Sequence, residues 1–203
     1  MSDAPPISRF PVPRMEDLPD DLRERIAAVA EKSGFVPNVF LALARRPAEW
    51  RAFFAYHDAL MEGESGLDAA EKELIVVATS AANDCLYCVV AHGAIARIRA
   101  RNPLLADQVA VDWRKADVTD RQRAMLGFAV KLATEPARVT EADLAELRGH
   151  GFSDDDIWDI GAITALFAMS NRMAHLTAMR PNDQFYLMGR VPKEMLAQLQ
   201  GPV

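Results

Sequence analysis

The sequence predicts an all-α protein. No alternation of apolar and polar residues persists, and β-branched residues do not cluster between turn pairs, so strand signals are nearly absent. Capping residues at helix starts, and glycine or proline at helix ends, recur from position 20 onward. Of the 203 residues, 50% are hydrophobic and 26% are charged, which suits one domain whose core needs no disulfide or metal.

The start of the chain predicts an extended arm. Because prolines interrupt residues 1–19, we expect no regular structure there, and we expect a single helical domain over residues 20–203. An arm of this kind either hangs free or lies across a neighbouring subunit. Its prolines are Pro5, Pro6, Pro11, Pro13 and Pro19.

The front half of the domain predicts three helices. An acidic residue at position 20 or 21 can start the first, and Gly34 supplies a left-handed stop. Pro37 and Pro47 suit the first turns of the second and third helices. These predicted helices cover residues 20–32, 37–45 and 47–61.

The central part predicts an antiparallel helical hairpin. Asp68 followed by Glu71 makes a capping-box start for its first helix. Asp84 lies in turn-forming sequence and can cap the second helix. The two predicted helices cover residues 69–82 and 85–100.

The rear half predicts further helices with the same kind of end signals. Thr119, Thr140 and Ser153 each precede a helical segment, and glycines at 149 and 151 separate two of them. The predicted helices cover residues 119–134, 140–148, 154–178 and 192–199.

Composition argues against two classes of partner. A formal net charge of −6, without a cluster of lysine or arginine, argues against a nucleic-acid-binding surface. No stretch reaches the ~18 apolar residues of a membrane span, and residues 1–13 lack the apolar segment of a secretory signal. We therefore expect a cytoplasmic protein that binds neither nucleic acid nor membrane, in a compartment where structural disulfides are rare.

The two cysteines of the chain form a C-x-x-C pair. Cys85 and Cys88 are followed four residues later by His92. At about 100° per residue, the three positions fall within an arc of about 60° on one helix face. This spacing allows a reversible disulfide, and the helix start favours a thiolate. Since an imidazole can accept a thiol proton, the pattern predicts a redox pair with His92 as its base.

Of the two sulfurs, Cys88 is expected to attack. It lies one helical turn from His92, so the two side chains are neighbours. A charge-assisted hydrogen bond is worth roughly 1.5–3 kcal/mol. The helix terminus, which favours a thiolate at Cys85, contributes ~0.3–1 kcal/mol. We therefore expect the imidazole to select the nucleophile.

Glu73 is the expected partner of the imidazole. Residues 74–83 carry no charge, so their helix should be buried on most sides, and a buried carboxylate needs a partner. With a rise of ~1.5 Å per residue, Glu73 lies about 15 Å from the hairpin turn and His92 about 10 Å. Glu73 should therefore meet His92 before either sulfur, which predicts a proton path from Glu73 through His92 to Cys88.

Two other interpretations of the cysteines stay open at this point. Both could be small buried hydrophobic residues without chemistry. C-x-x-C followed by His92 could also hold zinc, but a structural zinc site needs four ligands and the sequence contains no second C-x-x-C. The remaining histidines lie in other segments, so we expect no metal and no cofactor. They are His57, His150 and His175.

The stretch from Glu71 to His92 resembles a known family. A glutamate, a C-x-x-C twelve residues later and a histidine four residues after that form the redox motif of the alkylhydroperoxidase D core, an all-α fold of the carboxymuconolactone decarboxylase superfamily. Gly34-Phe35-Val36-Pro37-Asn38, together with segments of the rear half, resembles the branch called peroxidase-related proteins. The resemblance covers roughly residues 16–190. The rear segments are Leu147-Arg148, Gly151-Phe152-Ser153-Asp154 and Asn171-Arg172.

The resemblance implies roles for individual residues. Cys88 would attack peroxide, Cys85 would resolve the sulfenic acid into a disulfide, and Glu73 and His92 would relay protons. The best-known members carry a histidine where this chain has Tyr87. Because tyrosine is a poor base at neutral pH, we assign Tyr87 an auxiliary role and expect weaker activity or a different reductant. Decarboxylase members generally lack the cysteine pair, so lactone decarboxylation is not expected.

These observations predict an antioxidant oxidoreductase, a cofactor-free thiol peroxidase or disulfide reductase. Its expected partners are a hydroperoxide, a dithiol or thioredoxin-like reductant, and further copies of itself in a homo-oligomer. An alternative is a redox-sensing or electron-adaptor protein whose C-x-x-C pair does not turn over peroxide. A third is a structural helical protein with an inert, buried pair. Thiolate pKa and exposure separate the third from the others, and peroxide turnover separates the first two.

Overall fold

Helices account for nearly all of the regular structure in the computed structural model, which describes residues 6–192 and 195. Over those residues the sole β-contact is an isolated bridge between Met188 and Val191. The all-α prediction is therefore confirmed. No helix in the described part of the chain is long and apolar enough to cross a bilayer. The helices are α1 (Asp20–Ser33), α2 (Asn38–Leu43), α3 (Pro47–Met61), α4 (Ala69–Ala82), α5 (Leu86–Ala100), α6 (Leu105–Asp112), α7 (Asp120–Thr134), α8 (Glu141–Gly149), α9 (Asp154–Thr177) and α10 (Gln184–Leu187), with 3₁₀ turns at Met15–Asp17 and Pro136–Arg138.

Most helices begin and end where the end signals predict. The helices predicted over residues 47–61 and 69–82 are α3 and α4, with the same bounds. Capping boxes start α4, α7 and α9, where Asp68, Thr119 and Ser153 each accept a backbone N–H of the first turn. Side-chain caps fix these starts because they satisfy N–H groups that have no partner within the helix.

The sequence signals do not predict α6 or α10. Neither helix has a side-chain cap, and α10 is only four residues long. Both are held by packing on α5 instead. The helix predicted over residues 192–199 lies outside the described residues, apart from positions 192 and 195.

The centre of the domain is α4, which packs on α5 as an antiparallel hairpin and also touches α6, α7 and α9. Every residue from 71 to 80 is buried, which includes most of the uncharged stretch 74–83, predicted to be buried, and the charged residues 71–73 before it. Even Lys72 is buried, and its Nζ donates to the carbonyls of Leu60 (2.8 Å) and Gly63 (2.9 Å). The hairpin therefore forms a rigid support for the side chains it carries.

Residues 6–14 contain no helix or strand and lie along their own chain. The backbone N–H of Arg9 donates to the Thr177 carbonyl at 2.7 Å, and the N–H of Arg180 donates to the Ile7 carbonyl at 3.3 Å. These bonds place this part of the arm across the C-terminal end of α9.

The Gly34–Asn38 segment is tied to the chain that follows α9. The N–H of Asn38 donates to Asn182 Oδ1, and its side-chain amide donates to the Arg180 carbonyl, both at 2.8 Å. Asn182 Nδ2 in turn donates to the Val36 carbonyl at 2.9 Å. This reciprocal pairing holds the start of α2 against the segment that follows α9.

Candidate active site

The turn between α4 and α5 places Cys85 at the N-cap of α5. Asp84 adopts a left-handed conformation (φ 53°), and the N–H groups of Asp84 and Cys85 donate to the carbonyls of Ala81 (3.0 Å) and Ser80 (2.9 Å). This is the hydrogen-bond pattern that closes a helix with a left-handed residue. The prediction that Asp84 caps α5 is wrong, because Asp84 is used to end α4.

The two thiols are reduced, and both are buried. They interact across the first turn of α5, where the Cys88 thiol favours a thiolate on Cys85 and lowers the pKa of Cys85 to about 6. Burial opposes this effect, whereas the backbone N–H of Cys88 and the charge of His175 reinforce it. The pKa of Cys88 is raised, first by its bond to Cys85 and then by burial. The resting pair therefore holds one proton on Cys88 and a negative charge on Cys85.

Side chains of α9 complete the surroundings of the sulfurs. Ser170 Oγ lies 3.9 Å from Cys88 Sγ. The buried Asn171 donates from Nδ2 to Ser80 Oγ at 3.0 Å, and its amide also lowers the pKa of both thiols. Within the described residues, Asn171 Oδ1 is a buried side-chain atom without a hydrogen-bond partner. Asn171 is recognisable in the sequence only as part of a family pattern and Ser170 not at all, since nothing in their local sequence places them beside the cysteines.

The structure brings Glu73 and His92 together. Glu73 Oε2 lies 2.8 Å from His92 Nδ1, and both side chains are largely buried. When Nδ1–H donates to the carboxylate, Nε2 becomes the basic nitrogen of the ring. The ring also packs edge-on against Phe167 on α9, with centroids 4.6 Å apart. Glu73 therefore contacts the imidazole of His92 rather than a sulfur, as expected.

The expected proton path also requires a step from Cys88 to His92, and the described part of the chain shows no direct hydrogen bond for it. Among the described residues, no hydrogen bond joins His92 to either sulfur, although Cys88 is one turn away on the same helix. The four predicted residues thus form two adjacent pairs, a carboxylate–imidazole pair and a dithiol pair. Transfer from Cys88 to His92 stays a prediction.

Tyr87 has a structural contact that its sequence position does not reveal. Its hydroxyl accepts the backbone N–H of Val39 at 3.1 Å, which joins the first turn of α5 to α2. Burial raises the pKa of Tyr87 well above its ordinary value. The phenol therefore stays protonated at physiological pH and cannot replace a basic histidine.

Histidine, cysteine and acidic side chains do not gather into a metal-binding cluster within residues 6–192 and 195. His175 is turned to the loop before α5, where its Nε2 lies 2.9 Å from the Asn83 carbonyl oxygen. The expectation of a metal-free protein stays a prediction, which elemental analysis of the purified protein can test.

Comparison with known proteins identifies the family of this chain. The carboxymuconolactone decarboxylase family model matches residues 47–103, which span α3 to α5. An alkylhydroperoxidase AhpD core structure, a peroxidase-related protein of Ralstonia eutropha JMP134, is 65% identical, with 94% of this chain and 100% of that chain covered and a TM-score of 0.92. The chain therefore belongs to the carboxymuconolactone decarboxylase family, among its alkylhydroperoxidase D-like members.

Two further structures extend the comparison. A peroxidase-related protein from Silicibacter sp. TM1040 is 41% identical, covers 94% of this chain and 100% of its own, and has a TM-score of 0.88. The debrominase Bmp8 shares the fold at 22% identity, with 93% of this chain and 98% of that chain covered and a TM-score of 0.74. No functionally curated protein matches the chain.

Proposed function

We propose that this protein is a thiol peroxidase that reduces hydroperoxides with the Cys85–Cys88 pair. The observation that carries the proposal is the coupled dithiol at the start of α5, with its charge on Cys85 and its proton on Cys88, beside the Glu73–His92 pair at 2.8 Å. A low-pKa thiol beside a second thiol is the arrangement that disulfide chemistry requires. The similarity to peroxidase-related proteins supports the choice of peroxide as the oxidant.

In the first step Cys88 attacks the hydroperoxide. Its proton leaves for Cys85 or, through water, for His92, whose orientation Glu73 maintains. The resulting thiolate attacks the terminal peroxide oxygen, the O–O bond breaks, and Cys88 becomes a sulfenic acid. The departing alkoxide takes a proton from the protonated base and leaves as an alcohol.

In the second step Cys85 resolves the sulfenic acid. The Cys85 thiolate attacks the Cys88 sulfur, hydroxide leaves and is protonated to water, and a disulfide forms. One hydroperoxide and two thiols thereby give one alcohol, one water and one disulfide. A dithiol reductant then restores both thiols. We expect it to attack Cys85, which lies at the start of α5 near the exposed His175.

Separate trapping of the two sulfurs tests the order of these steps. Cys85→Ser and Cys88→Ser proteins are treated with hydroperoxide in the presence of a sulfenic-acid trap, and modified peptides are identified by mass spectrometry. Cys85→Ser should be trapped at Cys88, and Cys88→Ser should be trapped little. Wild type should consume hydroperoxide with a dithiol reductant, and neither variant should turn over. Trapping at Cys85 instead would assign the attack to the thiolate that is charged at rest.

A redox sensor or electron adaptor is the second candidate. It is favoured by the position of the charge, because a resting thiolate on Cys85 at the start of α5 suits exchange with a partner disulfide. Such a protein would exchange with a dithiol or disulfide partner at the same rate whether or not peroxide is present. Steady peroxide consumption by wild type excludes it, whereas rapid disulfide exchange without peroxide turnover selects it.

A further inference from the structure

A mostly apolar cavity lies between α2, α3 and the second half of α9. Its volume of about 560 Å³ falls within the range of small-molecule sites, roughly 300–1,000 Å³. Its walls are mainly alkyl and aromatic, and they include the buried Trp50 and Ala174. The apolar walls include Val39, Leu43, Phe53, Leu166, Met173 and Met179.

The cavity reaches the dithiol through two polar side chains. Tyr87, between the two cysteines in sequence, and Ser170 both line it. Because Ser170 Oγ is 3.9 Å from Cys88 Sγ, one hydroxyl separates the cavity from the proposed attacking sulfur. A serine hydroxyl rotates easily and can donate to an oxygen of a bound molecule. Neither cysteine lines the cavity, so Ser170 is the link between a molecule bound there and Cys88.

The rim of the cavity is positively charged, although the protein as a whole carries −6. Its charged lining residues are Arg45, Arg46 and Glu49, so two positive charges and one negative charge leave a net +1. Glu49 pairs with Arg46 at 3.0 Å. The Arg45 guanidinium lies over the Phe10 ring, 5.6 Å from its centroid. Arg45 has no acidic partner among the residues that the structure describes.

We propose that this cavity binds amphipathic carboxylic acids, with the carboxylate at Arg45 and the alkyl tail against the apolar walls. For catalysis, the substrate class would be hydroperoxides of long-chain carboxylic acids, whose peroxide group reaches Ser170 and Cys88. The choice of hydroperoxide substrates rests on the proposed peroxidase function, whereas the binding of carboxylic acids does not. A charged head at the rim and an apolar tail inside match the distribution of charge that the cavity presents.

Binding of a redox-inert acid tests the proposal without any peroxide. Laurate and methyl laurate, which share a tail but differ in charge, are titrated into the reduced full-length protein by calorimetry. Laurate should bind more tightly than its ester by roughly tenfold or more, the loss expected for one charge-assisted hydrogen bond. Arg45→Gln should remove this preference. Arg99→Gln, which changes an exposed arginine outside the cavity, should retain it.

A second pair of variants blocks the cavity without altering its charge. Ala52 is exposed on α3 and lines the cavity, whereas Ala55 is exposed on the same helix outside it. Ala52→Trp should abolish laurate binding, and Ala55→Trp should leave it unchanged. Equal affinity for acid and ester, or binding that survives both Arg45→Gln and Ala52→Trp, would overturn the proposal. The proposal would also be overturned if laurate did not bind the wild-type protein and Ala52→Trp disrupted its oligomer. That result would assign the cavity to contact with a second copy of the chain.

Peroxide turnover separates this inference from the proposed function. Linoleic acid hydroperoxide should be preferred over tert-butyl hydroperoxide in kcat/KM, and Arg45→Gln should reduce that ratio. If laurate binds as expected but neither hydroperoxide is consumed, the acid-binding site stands and the peroxidase function fails. If both hydroperoxides are consumed at equal kcat/KM and laurate does not bind, the peroxidase stands and the acid site fails.

Discussion

Cys85 and Cys88 hold one proton between them at neutral pH, and the Cys88 thiol is the main reason that Cys85 is the charged partner. Position contributes as well, because Cys85 is the N-cap of α5 and helix starts stabilise anions. The proposed attack by Cys88 therefore requires that its proton be transferred first, so that the negative charge moves from Cys85 to Cys88.

Removing the second thiol should change the acidity of the first. In Cys88→Ala the pKa of Cys85 should rise from about 6 toward its ordinary value of 9.0, because its main hydrogen-bond donor is lost. Cys88→Ser keeps a donor and should shift less. Thiolate absorbance near 240 nm, followed against pH, measures both. An unchanged pKa of Cys85 in Cys88→Ala would mean that the helix start and His175 are enough to lower that pKa without the Cys88 thiol.

The same acidity makes stability depend on pH. Cys85 has a folded pKa of about 6 against 9.0 for the ordinary thiol, so its thiolate favours the folded state. This contribution is complete above pH 9.0, decreases as pH falls, and is absent below about pH 6. The free energy of unfolding of reduced wild type, relative to Cys85→Ala, should therefore rise from pH 6 to pH 9. A difference that stays constant over this range would contradict a lowered pKa.

His92 should govern rate more than stability if its contact with Glu73 is preserved. In His92→Asn the side-chain amide can still donate to the buried Glu73 carboxylate, yet it has no basic nitrogen. We expect peroxide turnover to fall about 10²–10⁴-fold, the usual value of general-base assistance, with little change in melting temperature. His150→Asn, on an exposed histidine, is the control. Full activity in His92→Asn would remove the imidazole from the proton path.

At the scale of secondary-structure elements, end signals predict helices well where a side chain makes the cap. Gly34 ends α1 in the left-handed region (φ 86°), as expected of a residue without Cβ. The N-cap of α5 is mispredicted because both Asp84 and Cys85 can occupy it, and the choice depends on how α4 ends. The starts of α6 and α10 carry no capping side chain, so tertiary packing rather than local sequence determines them.

Asn182 should be worth more than a surface residue because it bonds the backbone of a distant element twice. Asn182→Ala leaves the Asn38 N–H and the Val36 carbonyl without their partner. The free energy of unfolding should fall by about 1–3 kcal/mol. Asn182→Asp retains the acceptor and should lose less, and the exposed Asp183 supplies the control Asp183→Ala. Urea denaturation measures all three, and equal losses in Asn182→Ala and Asp183→Ala would refute the bridging role.

At the scale of the whole molecule, α9 contributes the polar side chains that surround the two thiols of the α4–α5 hairpin. The Glu73–His92 meeting is predictable from rise per residue, since both side chains lie on one hairpin. Ser170 and Asn171 lie more than 80 positions from the cysteines, and no local pattern reports a contact at that distance. The C-x-x-C motif with Glu73 and His92 can thus be recognised in the sequence. The α9 side chains that adjust the pKa values of the two thiols are brought there only by tertiary packing.

The hydrogen bond from the Val39 N–H to the Tyr87 hydroxyl links the turn that carries the two thiols to α2. Tyr87 lies between the two sulfurs in sequence, and its hydroxyl is bonded to α2. A disulfide that shifts the first turn of α5 would therefore also shift the contact with α2. Oxidation should then be visible at the protein surface as faster amide exchange over residues 38–43, measured by hydrogen–deuterium exchange of reduced and oxidised protein. Tyr87→Phe should silence that difference while leaving disulfide formation intact. The oxidation state of the two buried sulfurs would thereby alter the mobility of α2, where another protein could detect it.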